Sequence, residues 1–176
     1  MDWQAFDLRP DTPPQGVPRQ DKPGEQKIGK PVDGHLGELA NEAGLTMIRA
    51  GMTPYTRPAM AACEYAKTAG KFDELHLALF KAYWERGENL GDTAVLQAAA
   101  ASVGMDPAAL AEALAGGAYA GQVQEQMDWA HSIGITGIPA FVVDDRYLLV
   151  GAQPYAVFKQ LMDRVLEERR TLVGEG

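Results

Sequence analysis

The sequence predicts an α/β fold in which an all-helical insertion interrupts a small β-sheet. The first observation is the order of patterns along the 176 residues: an extended segment, a proline-rich stretch, a run of helices, a hairpin and a last helix. The second is a change of period, from helical spacing over residues 35–132 to strand-like runs after residue 139. The third is a composition of 46% apolar and 23% charged residues, which is typical of one ordinary globular domain.

Charge and hydropathy exclude two classes of partner. The chain has 16 basic and 24 acidic residues and a net charge of −8, whereas nucleic acids and anionic bilayers are polyanions that attract clusters of Lys and Arg. No apolar run approaches the ~20 residues of a membrane span, and residues 1–4 lack the basic and apolar parts of a secretory signal. We therefore expect no nucleic-acid partner, no membrane partner and a cytoplasmic location.

The first 34 residues divide into an extended segment and a loop. Residues 1–9 carry apolar side chains on both faces, with Trp3 and Phe6 among them, which predicts a strand buried in a mixed sheet. Residues 10–34 contain six of the eleven prolines, interleaved with glycines and charges. Because proline breaks helices and removes ladder donors from strands, this stretch is predicted to be a long loop.

The alanine-rich stretch from about residue 33 to residue 132 predicts five or six short helices. Helix starts are marked by capping residues and by proline in the first turn, and helix ends are marked by glycine. The predicted boundaries are starts at Thr56-Arg57-Pro58, Asp92 and Asp106-Pro107, and ends at Gly70, Gly104, Gly116 and Gly134.

A β-hairpin and an amphipathic helix are predicted for the last third of the chain. Two apolar runs, residues 140–143 and 147–150, flank the acidic pair Asp144-Asp145, a pattern typical of two strands joined by a tight turn. After Pro154, apolar residues recur at helical spacing as far as Leu166.

The single cysteine, Cys63, limits the chemistry of these residues. It excludes an internal disulfide, a four-cysteine zinc site and a Cys-x-x-Cys pair within the 176 residues. Cys63 lies on the apolar face of the predicted helix that starts at Thr56, away from the helix N-terminus, so we predict a buried structural thiol and no nucleophile. The histidines His35, His76 and His131 lack metal-ligand spacing, and no metal or cofactor site is predicted.

The segment that joins the last predicted insertion helix to the hairpin carries the most specific motif. It reads Gly-Ile-Thr-Gly-Ile-Pro-Ala-Phe over residues 134–141, and Gly-Ala-Gln-Pro follows at residues 151–154. This arrangement closely resembles that of the DsbA-like thioredoxin-fold family. Within the family it is most similar to the FrnE-type branch, whose members are relatives of the 2-hydroxychromene-2-carboxylate isomerases. The resemblance covers essentially the whole chain. It implies a thioredoxin-like fold with Gly137, Ile138 and Pro139 as a substrate-binding cis-proline loop, whose Ile138 backbone would pair with an extended peptide.

The resemblance also implies thiol–disulfide chemistry on a thiol- or disulfide-containing protein, peptide or glutathione. In the family the reactive dithiol lies between the first strand and the first helix, before the segment that residues 2–11 resemble. We therefore expect the first strand, the Cys-x-x-Cys turn and the active-site helix to be absent from this chain, and the chain to be inactive as an oxidoreductase. Residues 1–34 and 133–176 would then form an incomplete sheet subdomain, with residues 35–132 as the helical insertion.

Several alternatives stay open at this point. One explanation for the missing Cys-x-x-Cys segment is a start codon farther upstream, which we favour. The others are a genuine fragment and a decayed gene. For function, the alternatives to an oxidoreductase are a non-catalytic peptide-binding module, a homodimer that pairs through its open sheet edges, and a glutathione-dependent isomerase or transferase.

Overall fold

A computed structural model describes residues 1–24 and 26–174 of the chain, with side chains described as far as Thr171. The described residues fall into two compact units, Met1–Met127 and Asp128–Gly176. None of the helices in the described part is long and apolar enough to cross a bilayer. In chain order the elements are β1 (Val17–Pro18), α1 (Gly34–Glu42), β2 (Met52–Thr53), α2 (Arg57–Thr68), α3 (Phe72–Trp84), α4 (Thr93–Ser102), α5 (Pro107–Ala115), α6 (Ala120–Ser132), β3 (Ala140–Val143), β4 (Tyr147–Val150) and α7 (Tyr155–Gly174).

The core of the first unit lies between helices α2, α3, α4 and α5. Its large members, Leu75, Leu96 and Leu110, have no exposed surface, and burying an aliphatic side chain of this size stabilises a fold by roughly 1.5–3 kcal/mol. The remaining space is filled mainly by alanine. The alanines with no exposed surface are Ala62, Ala66, Ala82 and Ala100.

The ends of the insertion helices confirm the boundaries that the capping residues predict. At the start of α4, the Asp92 carboxylate accepts a hydrogen bond from the Ala94 N–H at 2.9 Å. At its end, Gly104 adopts a φ of 77° and the Met105 N–H donates to the Ala100 carbonyl at 3.0 Å. This arrangement is a Schellman motif, which satisfies carbonyls that the helix itself leaves unpaired.

The predicted strand over residues 1–9 is wrong, because the structure has no strand there. A strand requires a paired backbone, and in the described part of the chain no backbone ladder forms with this segment. Side chains hold it instead: Gln126 Oε1 accepts from the Ala5 N–H at 2.6 Å, and Lys67 Nζ donates to the Trp3 carbonyl at 2.5 Å. The Trp3 ring is stacked on Phe72 at 6.2 Å.

The proline-rich loop contains a short strand that the sequence did not indicate. Strand β1 pairs antiparallel with β2, with Val17 opposite Thr53 and Pro18 opposite Met52. Two-residue strands leave no periodic signal, and proline is tolerated at such an edge position since it need not donate there. The other described residues between 10 and 33 form turns, bends and one isolated bridge, as predicted for a loop.

The second unit confirms the predicted hairpin and last helix. Strands β3 and β4 pair antiparallel with Phe141 opposite Leu149. Asp144 and Asp145 take positive φ values of 59° and 53°, the sign that a type I′ turn requires at both central positions. Helix α7 contacts the hairpin through Phe158, whose ring meets Phe141 edge to face at 4.8 Å.

The predicted division into a sheet subdomain of residues 1–34 with 133–176 and a helical insertion of residues 35–132 stays a prediction. Residues 1–34 lie in the same compact unit as α1–α5. Their contacts in this unit include Trp3 with Phe72 of α3 and β1 with β2.

Candidate substrate-binding loop

The loop over residues 134–139 leaves helix α6 in a fixed direction. Gly134 adopts a φ of 83°, its N–H donates to the His131 carbonyl at 3.0 Å, and the Ile135 N–H donates to the Ala130 carbonyl at 3.0 Å. These two bonds form a Schellman motif, in which the residue after glycine packs against the helix. Accordingly the Ile135 side chain is buried, and it anchors the start of the loop.

The end of the loop is anchored by the hairpin and by the Gly-Ala-Gln-Pro sequel. The Pro139 carbonyl accepts from the Gly151 N–H at 2.7 Å, which extends the β3–β4 ladder by one pair. Gln153 Nε2 donates to the Val150 carbonyl at 2.8 Å, at the end of β4. In the sequence, Gln153 was only one residue of the motif that carries the resemblance. Its stabilising role was missed, because the hydrogen bond to Val150 can be predicted only when the register of the hairpin is known.

The three residues predicted to bind substrate lie together between these anchors. The Ile138–Pro139 peptide bond is cis, and Ile138 is 51% exposed. Within the part of the chain that the structure describes, no hydrogen bond satisfies the Ile138 N–H or carbonyl. A Cβ atom placed on Gly137 would meet nothing within 4 Å, so the space beside the loop is open. An extended peptide could therefore approach this backbone closely.

An open cleft lies elsewhere in the second unit. It has a volume of about 380 Å³, and its walls combine apolar side chains of α6 and the hairpin with Asp145 and Arg146. Gly137, Ile138 and Pro139 do not line this cleft, so the cleft and the candidate loop are separate features of the second unit.

Cys63 has the environment of a structural thiol. It lies in α2, six residues after Arg57 at the helix start, and its side chain packs against the core of the first unit. Burial raises the pKa of the Cys63 thiol to about 12, the Glu64 carboxylate adds to this rise, and Lys67 opposes it. At neutral pH the group is therefore a protonated thiol, and the thiolate is the nucleophilic form.

Two buried carboxylates were missed by sequence reasoning. Glu64 is 3% exposed, and it accepts from Lys67 Nζ and from Gln122 Nε2, both at 2.8 Å. Asp7 is also buried, and its Oδ2 lies 3.9 Å from Arg57 Nε. Carboxylates are rarely buried unless they are paired, and Gln122 and Arg57 lie far along the chain from Glu64 and Asp7, so no local pattern predicts the burial of these two side chains.

The histidines show no sign of metal binding among the described residues, where no group of three His, Cys, Asp or Glu side chains comes together. His76 lies in an aromatic row on α3, between Phe72 at 4.9 Å and Phe80 at 4.8 Å. Burial lowers the pKa of His76, with Asp73 acting in the opposite direction.

Comparison with known proteins identifies the family. A family model described as a DSBA-like thioredoxin domain matches residues 1–163. The chain belongs to this family. A curated relative, the uncharacterized protein YwbO of Bacillus subtilis (strain 168), is 25% identical over 173 residues, covering 97% of this chain and 82% of the relative.

A solved structure agrees with the family's fold. The crystal structure of a probable DsbA oxidoreductase from Streptomyces coelicolor superposes with a TM-score of 0.74 at 22% identity, covering 94% of this chain and 74% of that chain. The predicted α/β, thioredoxin-like fold with a helical insertion is therefore confirmed. The FrnE-type branch stays a prediction.

Proposed function

We propose that the chain holds an extended, cysteine-containing peptide or protein segment at Gly137, Ile138 and Pro139, as the substrate-binding part of a DsbA-family thiol–disulfide oxidoreductase. The observation that carries this proposal is the exposed residue Ile138, whose backbone N–H and carbonyl have no hydrogen-bond partner within the described residues. Membership of the DSBA-like family supports it. An extended peptide pairs with such a backbone as an added strand, so its main chain supplies affinity whatever its side chains are.

The chemistry proposed for this site needs two thiols besides the binding backbone. A thiolate attacks one sulfur of the substrate disulfide, the other sulfur leaves as a thiolate, and a second protein thiolate then displaces the substrate from the mixed disulfide. The protein is oxidised to a disulfide as the substrate is reduced. The 176 residues contain Cys63 alone, with its pKa raised to about 12. These residues therefore contribute binding and orientation to the reaction, and we expect no turnover from them alone.

Peptide binding tests the proposal. The probe is a fluorescein-labelled, extended peptide with an S-methylated cysteine, which cannot exchange disulfides, and binding is followed by fluorescence anisotropy. The matched control is the same peptide with an N-methyl group on the cysteine amide, which removes one backbone donor. We expect the control to bind at least about fivefold more weakly, since a lost hydrogen bond costs roughly 1 kcal/mol. Equal binding of the two peptides, or none by either, would contradict the proposal.

Insulin reduction tests the inactivity of these 176 residues. We expect the chain to leave the rate of insulin reduction by dithiothreitol unchanged, because the Cys63 thiol is protonated and has no resolving partner. The C63S variant is the control and should give the same rate. Acceleration by the native chain that is lost in C63S would show that Cys63 is reactive after all.

A second candidate function is a non-catalytic peptide-binding module. It is favoured by the raised pKa of Cys63, because a protonated thiol does not act as a nucleophile. The exposed loop at Ile138 is then the feature of the described residues on which a function is proposed. The two candidates predict the same peptide binding for this chain. They differ when the insulin assay is repeated after a Cys-x-x-Cys strand–helix segment of a family member has been fused before Met1, since only an oxidoreductase scaffold would then turn over.

The single thiol also agrees with the expected cytoplasmic location, which stays a prediction.

A further inference from the structure

The open cleft of the second unit lies on one face of the β3–β4 hairpin. Val142 and Leu148 are opposite each other in the register, so their side chains share a face, and both line the cleft. Phe141 points to the other face, where its ring meets α7. Trp129 and Ile133 of α6 add further apolar lining. The cleft is therefore bounded by side chains of a helix and of both hairpin strands, and not by the backbone edge of a strand.

The charged part of the cleft lining offers one unpaired group, and that group is negative. The Arg146 guanidinium is engaged, with Nη1 3.6 Å from Asp144 Oδ2 and Nη2 3.1 Å from Glu168 Oε2. Asp145 is exposed, and within the part of the chain that the structure describes no side chain pairs with its carboxylate. An apolar cleft with a free carboxylate complements a ligand that has an apolar stem and a positive end.

The cleft lies within reach of a peptide held at the candidate loop. Val142 follows Ile138 by four residues, which is at most about 13 Å of extended chain, and four residues of a bound extended peptide cover the same distance. On this face of the hairpin the pair between them is Ala140 and Val150, which carries no charge. The peptide main chain and the cleft can therefore be occupied by the same molecule.

We infer that the cleft binds a lysine or arginine side chain of the peptide held at the candidate loop, about four residues from the peptide's cysteine. The methylene stem packs against Trp129, Ile133 and Leu148, and the cationic end pairs with the Asp145 carboxylate. A volume of about 380 Å³ accommodates a side chain of this length. The inference rests on the proposed function, and it adds a substrate class, namely segments with a basic residue near the cysteine.

Peptides that differ in one kind of side chain test this inference on the native chain. Each is an extended, fluorescein-labelled peptide with an S-methylated cysteine, and the varied residue stands four positions before and four positions after the cysteine, so that the direction of binding does not matter. The varied residue is lysine, norleucine, serine or glutamate. Norleucine keeps the methylene stem and should bind at least about tenfold more tightly than serine. Lysine should bind about threefold more tightly than norleucine, and glutamate more weakly than norleucine, because an exposed ion pair contributes modestly.

Two variants that remove the same charge at different places isolate the role of Asp145. D145N keeps the turn, since asparagine accepts the positive φ of 53° at this position. D163N removes an exposed carboxylate on α7 that does not line the cleft. We expect D145N to bind the lysine and norleucine peptides equally, and D163N to keep the threefold preference for lysine.

The outcomes separate this inference from the proposed function. Equal binding of the norleucine and serine peptides, equal binding of the lysine and norleucine peptides by the native chain, or a lysine preference that survives in D145N would each overturn the inference. If N-methylation of the cysteine amide weakens binding while the varied side chain has no effect, the loop binds peptides and only the assignment of the cleft fails. If N-methylation has no effect, the proposed function fails and the inference fails with it.

Discussion

Replacing Leu75 by alanine is expected to lower the free energy of unfolding of the first unit by about 3 kcal/mol. Leu75 has no exposed surface and lies in the core of α2–α5. Its loss removes buried apolar atoms and leaves a cavity that the surrounding helices only partly fill, and such substitutions cost roughly 2–5 kcal/mol. The measurement is urea denaturation followed by the helical circular dichroism signal.

The matched control for this prediction is L77A in the same helix. Leu77 is 56% exposed, so its truncation should change the free energy of unfolding by no more than about 0.5 kcal/mol. Both variants change helix propensity in the same direction, because alanine is the better helix former. Equal destabilisation by L75A and L77A would contradict the position of the core given by the structure.

Replacing Lys67 by methionine is expected to cost about 3 kcal/mol of stability, because it leaves the Glu64 carboxylate buried without its cation. Glu64 is 3% exposed, and its Oε1 lies 2.8 Å from Lys67 Nζ. Removing one partner of a buried ion pair typically costs 3–5 kcal/mol, and methionine keeps most of the apolar stem of lysine. Thermal and urea denaturation at neutral pH measure the loss.

Two comparisons isolate the charge effect at Glu64. In the double variant E64Q/K67M the buried charge is gone, so most of the loss should be recovered, whereas the bond from Lys67 to the Trp3 carbonyl is lost in both variants. K71M breaks a similar i,i+3 pair with Glu74, which is 49% exposed, and should cost about 0.5 kcal/mol or less. If K67M lowered the free energy of unfolding by as little as K71M, the Glu64–Lys67 pair would have to be solvated, which would contradict its burial.

The parts of the fold that the sequence predicts correctly depend on local signals. Asp92 and Asp106 cap helices whose first N–H groups lie two or three residues away, and Asp144-Asp145 form a turn that needs no distant contact. The strand expected over residues 1–9 depends instead on a pairing partner elsewhere in the chain. Its apolar residues describe a segment that packs on other elements, which Trp3 does on Phe72, but they do not determine its backbone pairing.

The candidate site shows the same division between local and distant information. Gly137, Ile138 and Pro139 are adjacent in sequence, so a motif can indicate them together, and the structure brings them into one exposed loop. Glu64 could not be predicted as buried, because its burial depends on Gln122, which is 58 residues away and on another helix. The direction of the Ile138 backbone likewise requires the register of a hairpin that begins after it.

The buried alanines of the first unit should respond differently to substitution by a smaller residue and to substitution by a larger one. Ala62, Ala66 and Ala100 have no exposed surface, and they pack in one core with larger side chains such as Leu75 and Leu96. A change to glycine removes one buried carbon, whereas a change to valine or leucine adds atoms to a core that neighbouring side chains already fill. We therefore expect the buried alanine positions to tolerate larger residues less well than the exposed positions of the same helices do.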